Sequence, residues 1–322
     1  MQSSSRLFPV SLTSAELRAD LTEDVYCLRP GNSPDRSVEI AITRLGQAKT
    51  GPRGRPVILL HGSFSNRRFW YSANGIGLGP YLVEQGFDVW LPEMRGHGLS
   101  PKNEHYSRNT LADYARFDLP AINAFIHEVT GVWPHWVGHS LGGTTLAAAL
   151  AAGYLTSDEL ASVALFGSQV SRRYGALKIP PVQWLLRAYI KRQPSLAGYK
   201  YNKGPEDEPI GLVLESLAMQ GLRGRFGGKV GDWWQGLKEV SVPVLAVAAR
   251  GDAQDPAWAC QALLEQIGSE QKAFVCLGKR YGYQSDYGHS EMLISKAAQK
   301  EVWPMIAHWL KAGSIEARQL QG

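Results

Sequence analysis

Cysteine is scarce: the 322-residue chain has three, Cys27, Cys260 and Cys276. They are odd in number, far apart and unaccompanied by a C-x-x-C or by paired histidines, so neither a disulfide scaffold nor a zinc site is expected. Apolar runs long enough to cross a bilayer are missing as well, which removes integral membrane proteins and leaves peripheral contact with a lipid surface open. The opening stretch, Met1 to Val10, holds no sustained apolar segment of the kind a secretory signal needs, and the expectation is a soluble, cytoplasmic protein. Basic runs that could track phosphates are absent too. The formal charge of +5 and the pI of about 9.0 therefore do not point to nucleic acid.

What is present is the composition of an ordered core. Hydrophobic residues make up 44% and charged residues 20%, with 10 Trp and 34 Gly, a balance that buries apolar surface rather than leaving the chain disordered. No internal repeat or low-complexity segment breaks it. The length exceeds the usual single core, but α/β folds hold such a length in one domain with an inserted subdomain.

Short apolar runs alternate with longer helical patterns, which predicts a mostly parallel sheet covered by helices on both faces. Val25 to Leu28 and Val38 to Leu45 read as early strands paired across the Pro30–Asp35 turn. Val57 to Leu60, Asp88 to Leu91, His135 to Val137, Ser162 to Phe166, Val244 to Ala249 and Ala273 to Leu277 read as buried strands. Helices are expected from Thr110 to Val129, with Thr110 as cap, from Thr144 to Ala152, from Pro256 to Ile267 and from Glu291 to Leu310. Between Ser168 and Val242 this rhythm stops. The core is thus assigned to 1–168 and 243–322, and 169–242 to an inserted lid whose segments Pro181 to Ile190 and Ile210 to Leu222 predict short helices. Residues from about 312 onward read as frayed.

One turn carries the chemistry. Gly138-His139-Ser140-Leu141-Gly142 fits a G-x-S-x-G elbow, which lifts a serine hydroxyl above the sheet between a buried strand and a small-residue helix. The bland alternative is an ordinary strand-to-helix turn. Ser140 is the candidate nucleophile, and a hydroxyl needs a base at neutral pH. The chain order for such a site is Ser, then Asp or Glu, then His. Asp252 follows the strand ending at Ala249, and His289 lies after the last strand; both stand at carboxyl ends of strands, where open α/β sheets assemble their sites. Asp255 competes with Asp252, with an N-cap as its bland role, and Asp286 lies near His289. The other histidines fall at the wrong topological position for the base.

A tetrahedral intermediate also needs amide donors for its oxyanion. Leu141, after the nucleophile, offers one N–H, and the loop after His61-Gly62 offers the other, at Ser63 or, as second choice, Phe64. Phe64, His139, Trp184, Trp233 and Trp234 are candidate substrate contacts, although aromatics of this kind serve equally well to glue a small lid to a sheet. The stretch from Ser168 to Val242 is also rich in cations, Arg172, Arg173, Lys178, Arg187, Lys191, Arg192, Lys200, Lys203, Arg223 and Arg225. That excess is either a solvated face or a preference for anionic substrates such as acyl-CoA or an acidic lipid surface.

With these residues placed, the chain resembles the α/β-hydrolase superfamily over nearly its whole length, and within it the esterase and lipase branch. The resemblance rests on His61-Gly62-Ser63, Arg95-Gly96-His97-Gly98-Leu99-Ser100, the elbow with Gly143, Gly251-Asp252 and Gly288-His289. Asp88 to Gly96 together with Tyr114 to Pro120 is similar to the acid-lipase-like group, with Glu93 standing where that group often has Asp. The resemblance implies hydrolysis of a carboxylic ester through an acyl-enzyme, with a small-molecule acyl substrate and neither metal nor cofactor. An acyl-CoA thioesterase or serine acyltransferase using the same residues, and a non-catalytic binding protein on the same fold, are the alternatives.

Overall fold

The computed structural model describes residues 9–18, 20–47, 53–171 and 175–315. Nine strands form one sheet. In chain order they are β1 (Val10–Arg18), β2 (Leu21–Leu28), β3 (Ile40–Gln47), β4 (Pro56–Leu60), β5 (Asp88–Pro92), β6 (His135–His139), β7 (Ser162–Phe166), then, after a separate hairpin of β8 (Ser195–Ala197) and β9 (Asp207–Pro209), β10 (Val244–Ala249) and β11 (Lys272–Leu277). Their spatial order is β1-β2-β3-β5-β4-β6-β7-β10-β11. Pairing is antiparallel from β1 to β5 and parallel from β5 through β4 to β11.

Every residue of β4, β5, β6, β7 and β10 is buried, as continuous apolar runs in a sheet covered on both faces require. One core holds residues of α3 (Leu119–Thr130), α4 (Leu141–Ala151) and α8 (Ala257–Gln266). The other holds residues of α1 (Leu78–Glu84), α9 (Glu291–Ile294) and α10 (Lys296–Ala312). Each fully buried Leu, Ile or Val in these layers contributes about 1.5–3 kcal/mol. Trp136 enters the first core without an orphaned donor, because its indole N–H donates to Asn123 Oδ1 at 2.9 Å.

The helix expected from Thr110 is present but not regular. Thr110 and Asp113 form a reciprocal capping box at its start. After α2 (Leu111–Asp113) the chain makes a π turn, Tyr114–Asp118, before α3. Pro120, in the first turn of α3, has no N–H to give and its ring would strike a carbonyl one turn earlier, so a wider turn ahead of it relieves the conflict. The last helix is broken too: Ser295 is extended between α9 and α10, and its side chain caps the Ala298 N–H at 3.1 Å.

Two features went unread in the sequence. Strand β1 escapes notice because Leu12 and Leu17 are exposed and only Val10, at its start, enters the core, so the strand shows no buried alternation. Between β7 and β10 the expected helices appear as α5 (Pro180–Ile190) and α6 (Ile210–Gln220), followed by α7 (Trp233–Gly236), but the β8–β9 hairpin is too short and polar to signal itself. Among the described residues no helix is long and apolar enough to cross a membrane. Arg172 and Arg173 lie outside the described residues, as do residues 316–322.

Candidate active site

Ser140 stands between β6 and α4 with φ 53° and ψ −121°, a backbone conformation that a side-chain-bearing residue occupies only under constraint. The constraints are visible. Its N–H donates to Phe166 O at 2.8 Å and its carbonyl accepts from Ser168 Oγ at 3.1 Å and from the Thr144 N–H at 3.0 Å. A Cβ at Gly142 would lie 2.5 Å from the carbonyl oxygens of Leu60 and His61, and one at Gly138 2.6 Å from Gly143 Cα. Only glycine fits so close a crossing of β4, β6 and α4.

The carboxylate and the imidazole meet from separate strand ends. Asp252 is buried; its Oδ1 accepts the Gln254 and Asp255 N–H groups at 2.8 and 2.9 Å, and its Oδ2 lies 2.7 Å from His289 Nδ1. Burial alone would raise its pKa, but the hydrogen bond from His289 and the two amides outweigh it and hold the carboxyl below its usual range. Asp255 Oδ2 is farther from the same nitrogen, at 3.7 Å, and Asp255 Oδ1 accepts from Gln169 Nε2 at 3.0 Å. It is not the N-cap of α8, a position taken by Pro256. Asp286 lies away from the imidazole and braces the loop, its Oδ1 accepting the Lys279 N–H at 3.0 Å.

With Nδ1–H directed at Asp252, the lone pair of His289 falls on Nε2, which faces the side-chain amide of Gln254 at 3.4 Å. Among the described residues no hydrogen bond joins the Ser140 hydroxyl to His289. The two residues instead border one cavity of about 740 Å³, together with Ser63, Phe64, His139 and Gln254. Ser140, Ser63 and Gln254 also border a smaller cavity of about 240 Å³, lined further by Leu141, Thr144, Met219 and Phe226. Leu141 opens α4, where the first amides lack intrahelical acceptors. Phe64 has φ 58°, and its N–H is already taken by Glu208 Oε1 at 2.6 Å, which leaves Ser63 as the candidate donor in this loop.

Around this centre, imidazoles act as struts. His139 Nε2–H donates to the His289 carbonyl at 3.0 Å, and Phe69 stacks on the His139 ring. Burial first, then the neighbouring His289, pushes His139 down to about 3, so it adds no charge beside His289. His61 Nδ1 faces the Gly62 carbonyl at 2.9 Å and its Nε2 accepts the Met94 N–H at 3.1 Å. Glu93 is buried and accepts the Leu99 N–H at 2.9 Å and the Arg67 N–H at 3.1 Å, tying the turn after β5 to the Ser63 loop's far end.

The tryptophans divide. Trp234 lines a third cavity of about 620 Å³ with Lys178, Arg225, Phe226 and Trp258. Trp233 does not: it is 2% exposed, packed edge-on against Phe226 in the core. Trp184 is 69% exposed on α5, a helix with no buried residue, and borders none of these three cavities. Gln169, Gln254 and Glu208 were not foreseen, because each reaches the site only through the path of a loop or insertion that has no periodicity to read. Asp252, Asp255 and His289 bring their ligand atoms within 4.8 Å of one another, a set that could hold a cation. Here those atoms are engaged mutually and by Gln169 and two amides.

The sheet order with an antiparallel start, the strained serine between β6 and α4, and an acid and a histidine after β10 and β11 define the α/β-hydrolase fold. A family model described as alpha/beta hydrolase fold matches residues 55–188. The chain is 37% identical over 119 residues to lipase member N of Mus musculus, covering 33% of this chain and 30% of that one. It is 33% identical over 135 residues to gastric triacylglycerol lipase of Homo sapiens, covering 38% and 31%. The chain thus aligns with about 30% of the length of the curated relatives it matches. Among solved structures, a thermophilic esterase from Thermogutta terrifontis superposes with TM-score 0.59 at 21% identity, over 89% of this chain and 98% of that one. A monoacylglycerol lipase from Paleococcus ferrophilus gives 0.61 at 19% identity, over 85% and 99%. The chain has the α/β-hydrolase fold, and the curated relatives it matches over part of its length are named lipases.

Proposed function

We propose that the chain is a carboxylic ester hydrolase working through an acyl-enzyme, with Ser140 as nucleophile, His289 as general base and acid, and Asp252 as the carboxylate that orients it. The observation that carries this reading is the 2.7 Å contact between His289 Nδ1 and Asp252 Oδ2, which turns the basic Nε2 toward the cavity that Ser140 borders. The lipase names of the sequence relatives support the ester bond as target.

In this mechanism Gln254 moves aside and Ser140 Oγ attacks the acyl carbonyl carbon as His289 Nε2 takes its proton. The oxyanion accepts the N–H groups of Leu141 and Ser63. Collapse breaks the bond to the alcohol, which leaves with the proton from His289; water then attacks the acyl-enzyme with His289 again as base, and the acid departs. Because the leaving alcohol must reach His289, it belongs in the larger cavity, which His289 lines. The acyl group belongs in the smaller one, which holds Leu141 and Met219. Residues 169–242 act as a cap in this reading: Asn202 and Lys203 border the alcohol side, Met219 and Phe226 the acyl side.

The test is labelling with a fluorophosphonate, followed by hydrolysis of p-nitrophenyl esters and acyl-CoAs of graded chain length. Label on Ser140, lost in Ser140→Ala, is expected; a protein that stays unlabelled while folded refutes the mechanism.

A further inference from the structure

The loop that would hold the oxyanion donor Ser63 is clamped from two sides. On one side His61 Nδ1 holds the Gly62 carbonyl, the same peptide plane that carries the Ser63 N–H. On the other side the clamp comes from the segment between β7 and β10. Glu208, at the centre of β9 and 2% exposed, accepts the Phe64 N–H at 2.6 Å. Beside it the Glu206 N–H donates to the Phe64 carbonyl at 3.1 Å, and Glu206 Oε1 accepts from Asn66 Nδ2 at 2.6 Å. A Cβ on Gly204 would lie 2.1 Å from Phe64 O, so the hairpin touches the loop backbone to backbone. Phe64 itself has φ 58°, a conformation its side chain disfavours.

We infer that Glu208 is a positioning residue for the oxyanion hole, holding the Phe64 amide so that the Ser63 N–H, and not that of Phe64, faces the reacting carbonyl. The inference rests on reading Ser140 as the nucleophile. It makes the β8–β9 hairpin a brace for the loop that carries Ser63. The acceptor, rather than the charge, is what the loop uses. His97 Nε2 lies 3.4 Å from Glu208 Oε1, and its Nδ1 faces Arg95 O at 3.3 Å. A glutamine at 208 can keep its oxygen on the Phe64 amide, with its NH₂ where Glu208 Oε2 now stands without a hydrogen-bond partner among the described residues, and with the charge gone His97 stays neutral.

Three variants separate the possibilities, each assayed with a p-nitrophenyl ester and checked for folding by thermal unfolding. Glu208→Gln keeps the acceptor in place, and its kcat is expected within about threefold of the unaltered enzyme. Glu208→Asp keeps the charge but falls short of the amide, and Glu208→Ala removes both. These two are expected to lower kcat by about 10- to 100-fold, less than the full loss of a donor, with KM changed little. Wild-type kcat in Glu208→Ala or Glu208→Asp overturns the inference, and so does a Glu208→Gln that loses as much as they do. Amide NMR of the unaltered enzyme decides even where those variants do not fold. On phosphonylation of Ser140 the Ser63 and Leu141 amide protons should move downfield while that of Phe64 stays in place; a moving Phe64 and a still Ser63 refute it. If the unaltered enzyme takes up no fluorophosphonate, what fails is the assignment of Ser140.

Discussion

His289 Nδ1 lies 2.7 Å from Asp252 Oδ2 and 3.7 Å from Asp255 Oδ2, so one imidazole has two carboxylates within reach and hydrogen-bonds to the nearer. The amides of residues 254 and 255 both point at Asp252, and Gln169 draws Asp255 away. Asp252→Asn would present an NH₂ to the ring and favour the wrong tautomer. We expect kcat to fall by about 10³- to 10⁴-fold, with Asp255→Asn costing far less. Initial rates on a single p-nitrophenyl ester for both variants check this, and the reverse ranking would move the acid to Asp255.

Acid should unfold this protein through its histidines before its carboxylates. Burial pushes His61, His135 and His139 down to about 3, 4 and 3. The unfolded chain binds protons at these sites from about pH 6.5 downward while the folded one does not. Stability is therefore lost as pH falls from about 6.5 toward 4, by up to about 1.4 kcal/mol per pH unit for each site. His97 works the other way: burial lowers it, but Glu208 more than offsets this, so its contribution is full at low pH and fades as pH rises. Asp252, held low, gives way only below the ordinary carboxylate range. Urea midpoints should drop between pH 7 and 4.5, and His135→Gln, whose ring bonds Ser162 in β7 remote from the cavity, should flatten that drop. A drop as large in His135→Gln as in the unaltered protein would take His135 out of this account.

The sequence made the elbow and the meeting of Asp252 with His289 legible for one reason: both depend on strand ends, and buried parallel strands announce themselves as apolar runs. Gly138 and Gly142 could be read because a tight crossing leaves no room for any other residue. Trp184 and Trp233 could not be told apart, since an aromatic in an insertion without periodicity carries no sign of which way it faces. One ended on the outside of α5 and the other under Phe226. Glu208 was invisible for a similar reason: its place beside Phe64 comes from where a hairpin lands whose strands, β8 and β9, have only three residues each. The π turn at Tyr114–Asp118 was missed inside a helix expected to run unbroken from Thr110 to Val129, although Pro120 is a residue that a regular helix cannot accept at that place without relief.

The third cavity offers a test of the cation excess. Lys178 and Arg225 line it beside Trp234 and Trp258, and it shares Val170 and Phe226 with the cavity of about 240 Å³. An acyl chain passing Phe226 would bring its far end toward these cations. Both side chains are exposed, so the attraction is screened and modest. Lys178→Ala with Arg225→Ala should lower kcat/KM for a p-nitrophenyl ester bearing a distal carboxylate by about threefold at low salt, the size of a weak surface attraction. Its neutral counterpart should change little, and added salt should erase the difference. Equal effects on both esters would assign these cations to an ordinary solvated face.

Arg95 and Asp118 form a buried pair between the turn after β5 and the π turn, with Arg95 Nε donating to Asp118 Oδ2 at 2.8 Å and a second contact beside it. Burial raises the Asp118 carboxyl even against the attraction of Arg95, so desolvation is a large part of the balance. Removing one partner leaves the other charge buried and alone. Asp118→Ala or Arg95→Met is therefore expected to destabilise by about 3–5 kcal/mol. Replacing both at once, Arg95→Met with Asp118→Leu, removes both desolvation costs and should recover most of that loss, because apolar groups of similar volume suit a site already walled by Tyr114 and Leu119 in the core. A double-mutant cycle by urea denaturation measures the coupling. If the double variant is as unstable as the sum of the singles, the pair contributes nothing as a pair, and the close spacing of these two residues reflects the path of the π turn alone.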